Sequence, residues 1–395
     1  MRILLLILPL MLAADWTRFR GPNGTGVSDD TTIPTAITAE TILWKVELPG
    51  GGHSSPIVVG KRIYLAASTA KARMLLCYDT NGKLLWKREA PGGLGKIHPL
   101  SSLASSTPCS DGERVYIVFW DGKNVSLHAY EQDGTPVWNR DLGPFKSQHG
   151  PGFSPVVYDG KVIVNNDQDG KAELLAFEAA TGKPAWKVAH KAFRACYSTP
   201  IVHEGQLLVT TTAGLTAYDL SKGEKKWSYE WKFPVKPLRT VGSSVLAGDI
   251  IVLPSGDGDG SRNMIGVKLP KGDQSPTLAW QLDSSTPYVP TALVNGDYLY
   301  TVFDDGFAIC RKARTGKEVW RARLTGKVSA SPVLINGKIY AFGERGEVTI
   351  FEARPDKYVP VFRGKMGENI MASPAVADGR LYVRGVTHLF AIGAK

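Results

Sequence analysis

Few residues in this chain have the types and spacing that chemistry requires. Cys77, Cys109, Cys196 and Cys310 include no adjacent pair and no C-x-x-C, so neither a zinc site nor a redox motif is supported. The run Ser255-Gly-Asp-Gly-Asp-Gly-Ser-Arg-Asn263 sets Asp257, Asp259, Ser261 and Asn263 at alternate positions, where hard oxygens could wrap calcium. However, Arg262 and Lys268 stand where an EF-hand loop needs Gly and Glu, so ordinary Asp-Gly turns are the better reading, and Asp167-Gln-Asp169-Gly is weaker still. There is no G-x-S-x-G elbow and no H-E-x-x-H helix. The glycine-rich stretches 49–53 and 91–95 open no helix and therefore offer no phosphate cradle. No residue is assigned a catalytic role, and no metal site is expected.

The elements that position side chains are legible as a repeat. Thr181-Gly-Lys-Pro-Ala-Trp186, Thr315-Gly-Lys-Glu-Val-Trp320 and Thr80-Asn-Gly-Lys-Leu-Leu-Trp86 are copies of one unit. Further copies close at Trp44, Trp138, Trp227, Trp280 and, with Trp replaced, Phe362, so that successive closing residues are 40 to 53 apart. Upstream in each copy comes Ser-Pro or its remnant, then a Gly turn and an alternating apolar run, as in Ser331-Pro-Val-Leu-Ile-Asn-Gly-Lys-Ile-Tyr340. Each unit holds four period-two runs split by turns in which Gly supplies positive φ, and the spacing is that of a four-stranded propeller blade. The final unit, from Ala372, has room for three strands only, while Trp44 has no unit before it. Residues 41–48 must then supply its fourth strand, which closes the ring and removes its open edge.

This gives an all-β, eight-bladed propeller over residues 41–395, preceded by a strap over 15–40. The Ser-Pro strand of each blade faces the channel, and the Trp strand lies at the rim, where a large aromatic buries ~150–250 Å² between blades. The small residues nine or ten positions before the Trp, Ala129, Ala176 and Ala217, face the next blade, and Cys77 and Cys310 share that register. They read as buried small hydrophobes too far apart to bond.

In such a ring, the connections from outer strand to next inner strand emerge on one face. Thirteen basic residues fall there: Arg88, Lys96, Arg140, Lys146, Lys191, Arg194, Lys232, Lys236, Arg239, Arg323, Lys327, Arg363 and Lys365. Five acidic ones do: Glu89, Asp141, Glu230, Asp283 and Glu368. The chain's formal charge of +10 is therefore expected to concentrate around one mouth of the channel. His53, His98 and His149 join it, as does Asn369 on the last connection. His53, Tyr197 and Tyr288 share one register at the entrance of the inner strand, suited to a planar ligand or a peptide loop. Trp231 and Phe233 lie outside the repeat register, either as a partner anchor or as a pin for their own loop, and Trp120 is similarly unassigned.

The motifs Ala217-Tyr-Asp219 and Thr181-Gly-Lys-Pro-Ala-Trp186 resemble the two halves of the pyrroloquinoline-quinone-like propeller repeat, A-x-D-x-x-T-G-K-x-x-W, over roughly residues 41–395. The opening Trp16-Thr-Arg-Phe-Arg-Gly-Pro-Asn-Gly-Thr-Gly-Val-Ser28 is similar to the N-terminal segment of exported proteins of this type. That family contains quinoprotein alcohol and sugar dehydrogenases and also non-enzymatic propellers, including the assembly factor of the outer-membrane barrel machinery. The dehydrogenase branch implies quinone, calcium and, in one subgroup, adjacent cysteines, which this chain lacks. The resemblance therefore favours a non-catalytic scaffold that binds a protein or a small anionic ligand, with a quinone-dependent dehydrogenase as the alternative.

Residues 1–14 read as a secretory signal: Arg2, then an apolar run over 3–12, then Ala13 and Ala14 before Asp15. The run is too short to span a bilayer, and no cysteine follows it to carry a lipid anchor. A periplasmic or secreted monomer is expected. Nucleic acid is disfavoured as a partner, because export removes the targets and no reader motif accompanies the basic residues.

Overall fold

The computed structural model describes residues 15–233, 235–324 and 326–394, and the signal segment expected over 1–14 lies outside them. Eight antiparallel sheets follow one another around a ring, each ordered from a short inner strand to an outer strand. We number the blades by residues: 57–91, 109–144, 156–189, 201–230, 245–282, 293–323 and 333–365 are blades 1 to 7. Blade 8 joins Ala375–Ala377, Arg380–Arg384 and His388–Gly393 to Ile42–Glu47, which pairs antiparallel with His388–Gly393 as its outermost strand. The expected closure by the N-terminal strand is thus met.

The register explains the repeat. Each closing aromatic stands directly across from a small or β-branched residue of the neighbouring strand: Trp86 from Cys77, Trp138 from Ala129, Trp186 from Ala176, Trp227 from Ala217, Trp280 from Gly266, Trp320 from Cys310, Trp44 from Ala391 and Phe362 from Ile350. A small partner leaves room for the ring, which then reaches the next blade. There it meets the turn glycine of the following repeat: Gly82 sits on Trp44, Gly134 on Trp86, Gly182 on Trp138, Gly223 on Trp186 and Gly316 on Trp280. All five have positive φ, and an added Cβ would lie 2.5–2.9 Å from the indole. Five indoles also donate to a backbone carbonyl of that neighbouring turn at 2.8–3.0 Å, such as Trp138 Nε1 to Ala179. The Thr-Gly-Lys and Trp halves of the motif are therefore two sides of one inter-blade joint. All four cysteines are buried and free.

The Ser-Pro half does more than line the channel. Ser55 N–H donates to Thr107 Oγ1, Thr107 to Ser154, Thr199 to Ser243, Ser243 to Thr291, Thr291 to Ser331, Ser331 to Ser373, and Ser373 back to Ser55, at 2.9–3.1 Å. From blade 4 round to blade 3, blade follows blade through these hydroxyls, each capping a buried amide that no strand pairs.

The strap enters the channel on the side of the turns between first and second strands. Trp16 bridges to Val58 of blade 1, Ser110 of blade 2 donates to Thr17, and Val27–Ser28 adds a parallel strand against the inner strand of blade 7. Arg18 reaches the Tyr158 hydroxyl and the Pro200 carbonyl, in blade 3 and just ahead of blade 4. Arg20, 1% exposed, donates to the carbonyls of Ala292, Pro332, Gly24 and Thr25 at 2.8–3.2 Å, spanning blades 6 and 7. Gly21 has φ +64°, and a Cβ there would meet the Trp16 ring at 2.5 Å, which accounts for the Arg-Gly-Pro sequence at the tip of this plug. The sequence marked the strap but gave no sign that it enters the channel.

Candidate functional site

The opposite face carries the outer-to-inner connections, and the structure corrects the charge expected of it. Arg88 and Arg140 lie on outer strands, where each guanidinium stacks near its own closing Trp and donates to the next blade's turn, at Gly134 and Gly182. Arg323, Arg363 and Lys365 also belong to outer strands, as do the acidic Glu89, Asp141 and Glu230. The hairpins between second and third strands reach the same face, shown by hydrogen bonds such as Ala195 N–H to Asp169, Val289 N–H to Asp304 and Glu344 N–H to the Lys327 carbonyl. They bring Asp121, Asp169, Asp257, Asp259, Asp304, Asp305 and Glu344 against Lys71, Lys123 and Arg345. The face as a whole is therefore nearly balanced. A count restricted to the connections missed the hairpins because only the blade's up-and-down geometry places both on one side.

The charge is instead polarised. Across connections 92–108, 145–155, 190–200 and 231–244 and the hairpins of blades 1 to 5, nine Lys or Arg face four Asp. Across the remaining loops, only Lys327 and Arg345 face Asp283, Asp304, Asp305, Glu344 and Glu368. The basic half also carries the longer connections, 11 to 17 residues against 9 or 10. It holds Leu94, Leu100, Phe193 and Val235, which are 78%, 49%, 46% and 92% exposed.

Five expected residues of this half come together with Tyr288 of connection 283–292. The His98 and His149 rings meet edge to face with centroids 4.8 Å apart. Arg239, 2% exposed, pairs by backbone with Gly256, whose Cα abuts the Tyr288 ring. Tyr197 donates its backbone N–H to Thr240 and its hydroxyl to the Gly150 carbonyl at 3.1 Å. Arg194 binds Asp257 at 2.6 Å. Burial, followed by Arg239, the neighbouring His98 and Arg194, holds the His149 imidazole down at about 4. Burial pushes the Tyr288 phenol up to about 12 and the Tyr197 phenol up as well.

The other expected residues lie elsewhere. His53 backs onto the fully buried Arg384 of blade 8, and burial together with that guanidinium holds it at about 4. Lys327 and Asn369 are exposed on the acidic half. Trp231 is no exposed anchor: it is 4% exposed, stacks on Phe233 at 5.0 Å, donates to Asn263 at 2.8 Å and pins its loop to blades 4 and 5. Trp120 packs in the blade 2–3 core. Sequence reasoning missed Gln148, Arg262 and Asp304, which support the cluster. Gln148 Oε1 accepts from Arg239, Arg262 lies over the Tyr288 ring at 5.2 Å, and Asp304 accepts the Tyr288 N–H at 2.7 Å. They sit outside the repeat register, so no pattern marked them.

Asp257 and Asp259 do not fit calcium. Asp257 is held by Arg194 at 2.6 Å and Lys236 at 3.1 Å, and Asp259 by Lys236 at 2.7 Å. Burial works against Asp257's charge, but the Arg194 bond, the Gly258 N–H and Lys236 outweigh it and bring the carboxyl down to about 2. Two cations already fill the positions a divalent ion would take. Asp167 is likewise committed, to the buried His190.

A ring of eight four-stranded blades joined by Trp–Gly contacts and closed by its N-terminal strand defines a propeller of pyrroloquinoline-quinone-like repeats. The family described as outer membrane protein assembly factor BamB matches residues 31–129, 123–275 and 267–355, and the chain belongs to it. The assembly factor BamB of Shewanella oneidensis is 28% identical over 151 residues, which span 37% of this chain and only 38% of that protein. The tetrathionate hydrolase of Acidithiobacillus ferrooxidans is 25% identical over 186 residues, 43% of this chain and 35% of that enzyme. Among solved structures, Moraxella catarrhalis BamB superposes with TM-score 0.68 at 16% identity, covering 90% of this chain and 98% of its own. A europium-containing methanol dehydrogenase superposes with TM-score 0.72 at 13% identity, covering 95% and 90%. At such identities these likenesses speak for the fold alone.

Proposed function

We propose that this protein is a non-catalytic docking propeller of the periplasm, and that it binds an acidic, apolar-bearing segment of a protein partner on the basic half of its connection face. The observation that carries this is the coincidence of Leu94, Leu100, Phe193 and Val235 with the nine basic residues on the longer loops. Exposed apolar side chains ringed by one sign of charge are how a soluble surface marks a partner. The remaining large exposed apolar residues among those described, Leu84, Leu85, Leu278, Val319 and Val361, lie on the outer strands of four different blades, away from these loops. Membership in a family named for outer-membrane protein assembly supports both compartment and role.

A photo-crosslinking residue placed at Leu94, Phe193 or Val235 in cells should give a discrete protein adduct, and one at Leu278 or Val361 should not. Equal labelling at all five positions refutes the reading. The dehydrogenase-like fold keeps a second reading testable: stoichiometric uptake of pyrroloquinoline quinone with calcium and dye-linked turnover of an alcohol would overturn the non-catalytic assignment.

A further inference from the structure

Buried guanidinium groups in this protein spend donors on backbone carbonyls, Arg384 among them through Nη1 to Ser54 and Ala66 although its Nε and Nη2 have no acceptor, and Arg239 departs from that pattern. Arg20 gives its donors to four backbone carbonyls, and Arg73 gives its own to those of Trp120, Gly93, Thr69 and Ala72. Such arginines are structural, since every N–H edge is spent on a fixed acceptor. Arg239 is as deeply buried, but only its Nη2 has a partner, the side-chain oxygen of Gln148 at 2.9 Å. Its Nε and Nη1 are buried without an acceptor, and no carboxylate of the described residues lies within ion-pair distance. The nearby Asp257 is committed to Arg194 and Lys236. A buried cation lacking both counter-ion and full hydrogen bonding costs several kcal/mol, a cost that a fold ordinarily avoids.

The surroundings are built. The backbone of Arg239 is fixed by two 2.9 Å bonds to Gly256, where a Cβ would collide with Tyr288. Tyr197 is fixed through Thr240 and Gly150, and His149 adjoins from the connection that also carries Gln148. Gln148 itself is exposed. Its amide oxygen is thus a neutral acceptor, on a solvent-exposed residue, at the Nη2 of the buried guanidinium.

We infer that Arg239 is the receptor of a carboxylate, which enters along Gln148 and takes its place at Nη2, with Tyr197, Tyr288 and His149 as the walls. A carboxylate oxygen at that point replaces a neutral hydrogen bond by a charge-assisted one and supplies the missing counter-ion. Its source is a free small acid or an Asp or Glu side chain, and only the second source rests on the docking reading given above.

The test is calorimetric titration of the mature protein with glutarate, with citrate and with a capped peptide of alternating Glu and Leu. Wild type is expected to bind at least one of them, and Arg239→Gln to weaken that binding tenfold or more. Gln148→Glu places a carboxylate on Arg239 from within and should abolish binding without loss of thermal stability, a result a merely structural Arg239 would not give. Lys327→Gln, on the far half, should bind as wild type does. Binding also raises the His149 titration midpoint above about 4, read by NMR. Uptake of glutarate or citrate assigns a free acid, whereas uptake of the peptide alone assigns a partner's side chain. No binding by wild type at millimolar concentration, or equal binding by Gln148→Glu, overturns the inference while leaving the crosslinking pattern at Leu94, Phe193 and Val235 to decide the docking reading separately.

Discussion

Replacing Arg20 by Met tests whether the N-terminal plug is a working part of the ring. The guanidinium makes four hydrogen bonds of 2.8–3.2 Å to carbonyls, two of them on blades 6 and 7. Charge-assisted bonds contribute about 1.5–3 kcal/mol each, or roughly 6–12 kcal/mol in all. Burial opposes this by pulling the guanidinium down from 12.5 to about 9, which corresponds to about 5 kcal/mol. The remainder is about 1–7 kcal/mol, and the middle of that range, about 2–4 kcal/mol, is the loss expected. Met keeps most of the volume, so the loss reports the polar contacts and not a cavity. The amides of Trp16 and Gly26, bonded to Val58 and Arg20 carbonyls at 2.9 and 2.8 Å, should then exchange with deuterium about 30-fold to 1,000-fold faster. Arg20→Lys should fall between the two. Unchanged exchange over residues 16–28 in Arg20→Met, with an unchanged melting temperature, would refute the claim that this side chain holds the plug.

Other outcomes follow from the same geometry. Burial holds His53, His128 and His149 at about 4 against an unfolded value near 6.5, so the unfolded chain binds more protons between those values. Stability should be level above pH 6.5 and fall as the pH drops toward 4, and imidazole resonances with midpoints near 6.5 in the folded protein would contradict this. Gly182→Ala forces a side chain at φ +66° into contact with Trp138 and should cost about 1–3 kcal/mol, read as a lowered melting temperature, whereas Gly160→Ala meets nothing within 4 Å and pays only the backbone strain. Burial raises the thiols of Cys77 to about 12 and Cys310 to about 11 and also lifts those of Cys109 and Cys196, so a thiol reagent should find none in the folded protein and four after denaturation without reductant. Fewer than four would mean that a disulfide forms.

The sequence by itself determined the architecture. The Trp, the small residue opposite it and the turn glycine recur because each blade must solve the same packing problem against its neighbour, and a repeated problem leaves a periodic signature. The absence of a closing Trp at the end and its surplus at Trp44 fixed the closure for the same reason. Only the tertiary structure decided the face. Whether a charge is free depends on what folds beside it, and Asp257, Asp169 and Asp304 come from hairpins that stand 63, 26 and 16 residues in sequence from the connection residues Arg194, Ala195 and Tyr288 they bind. Arg88 and Arg140 counted as mouth residues until the register put them on the rim, braced to the next blade. Arg20 and Arg239 are both buried arginines in loops, indistinguishable by type or spacing. One is saturated by carbonyls of blades 6 and 7 and the other left with two open donors, a difference that exists only once blades far apart in sequence converge on one channel.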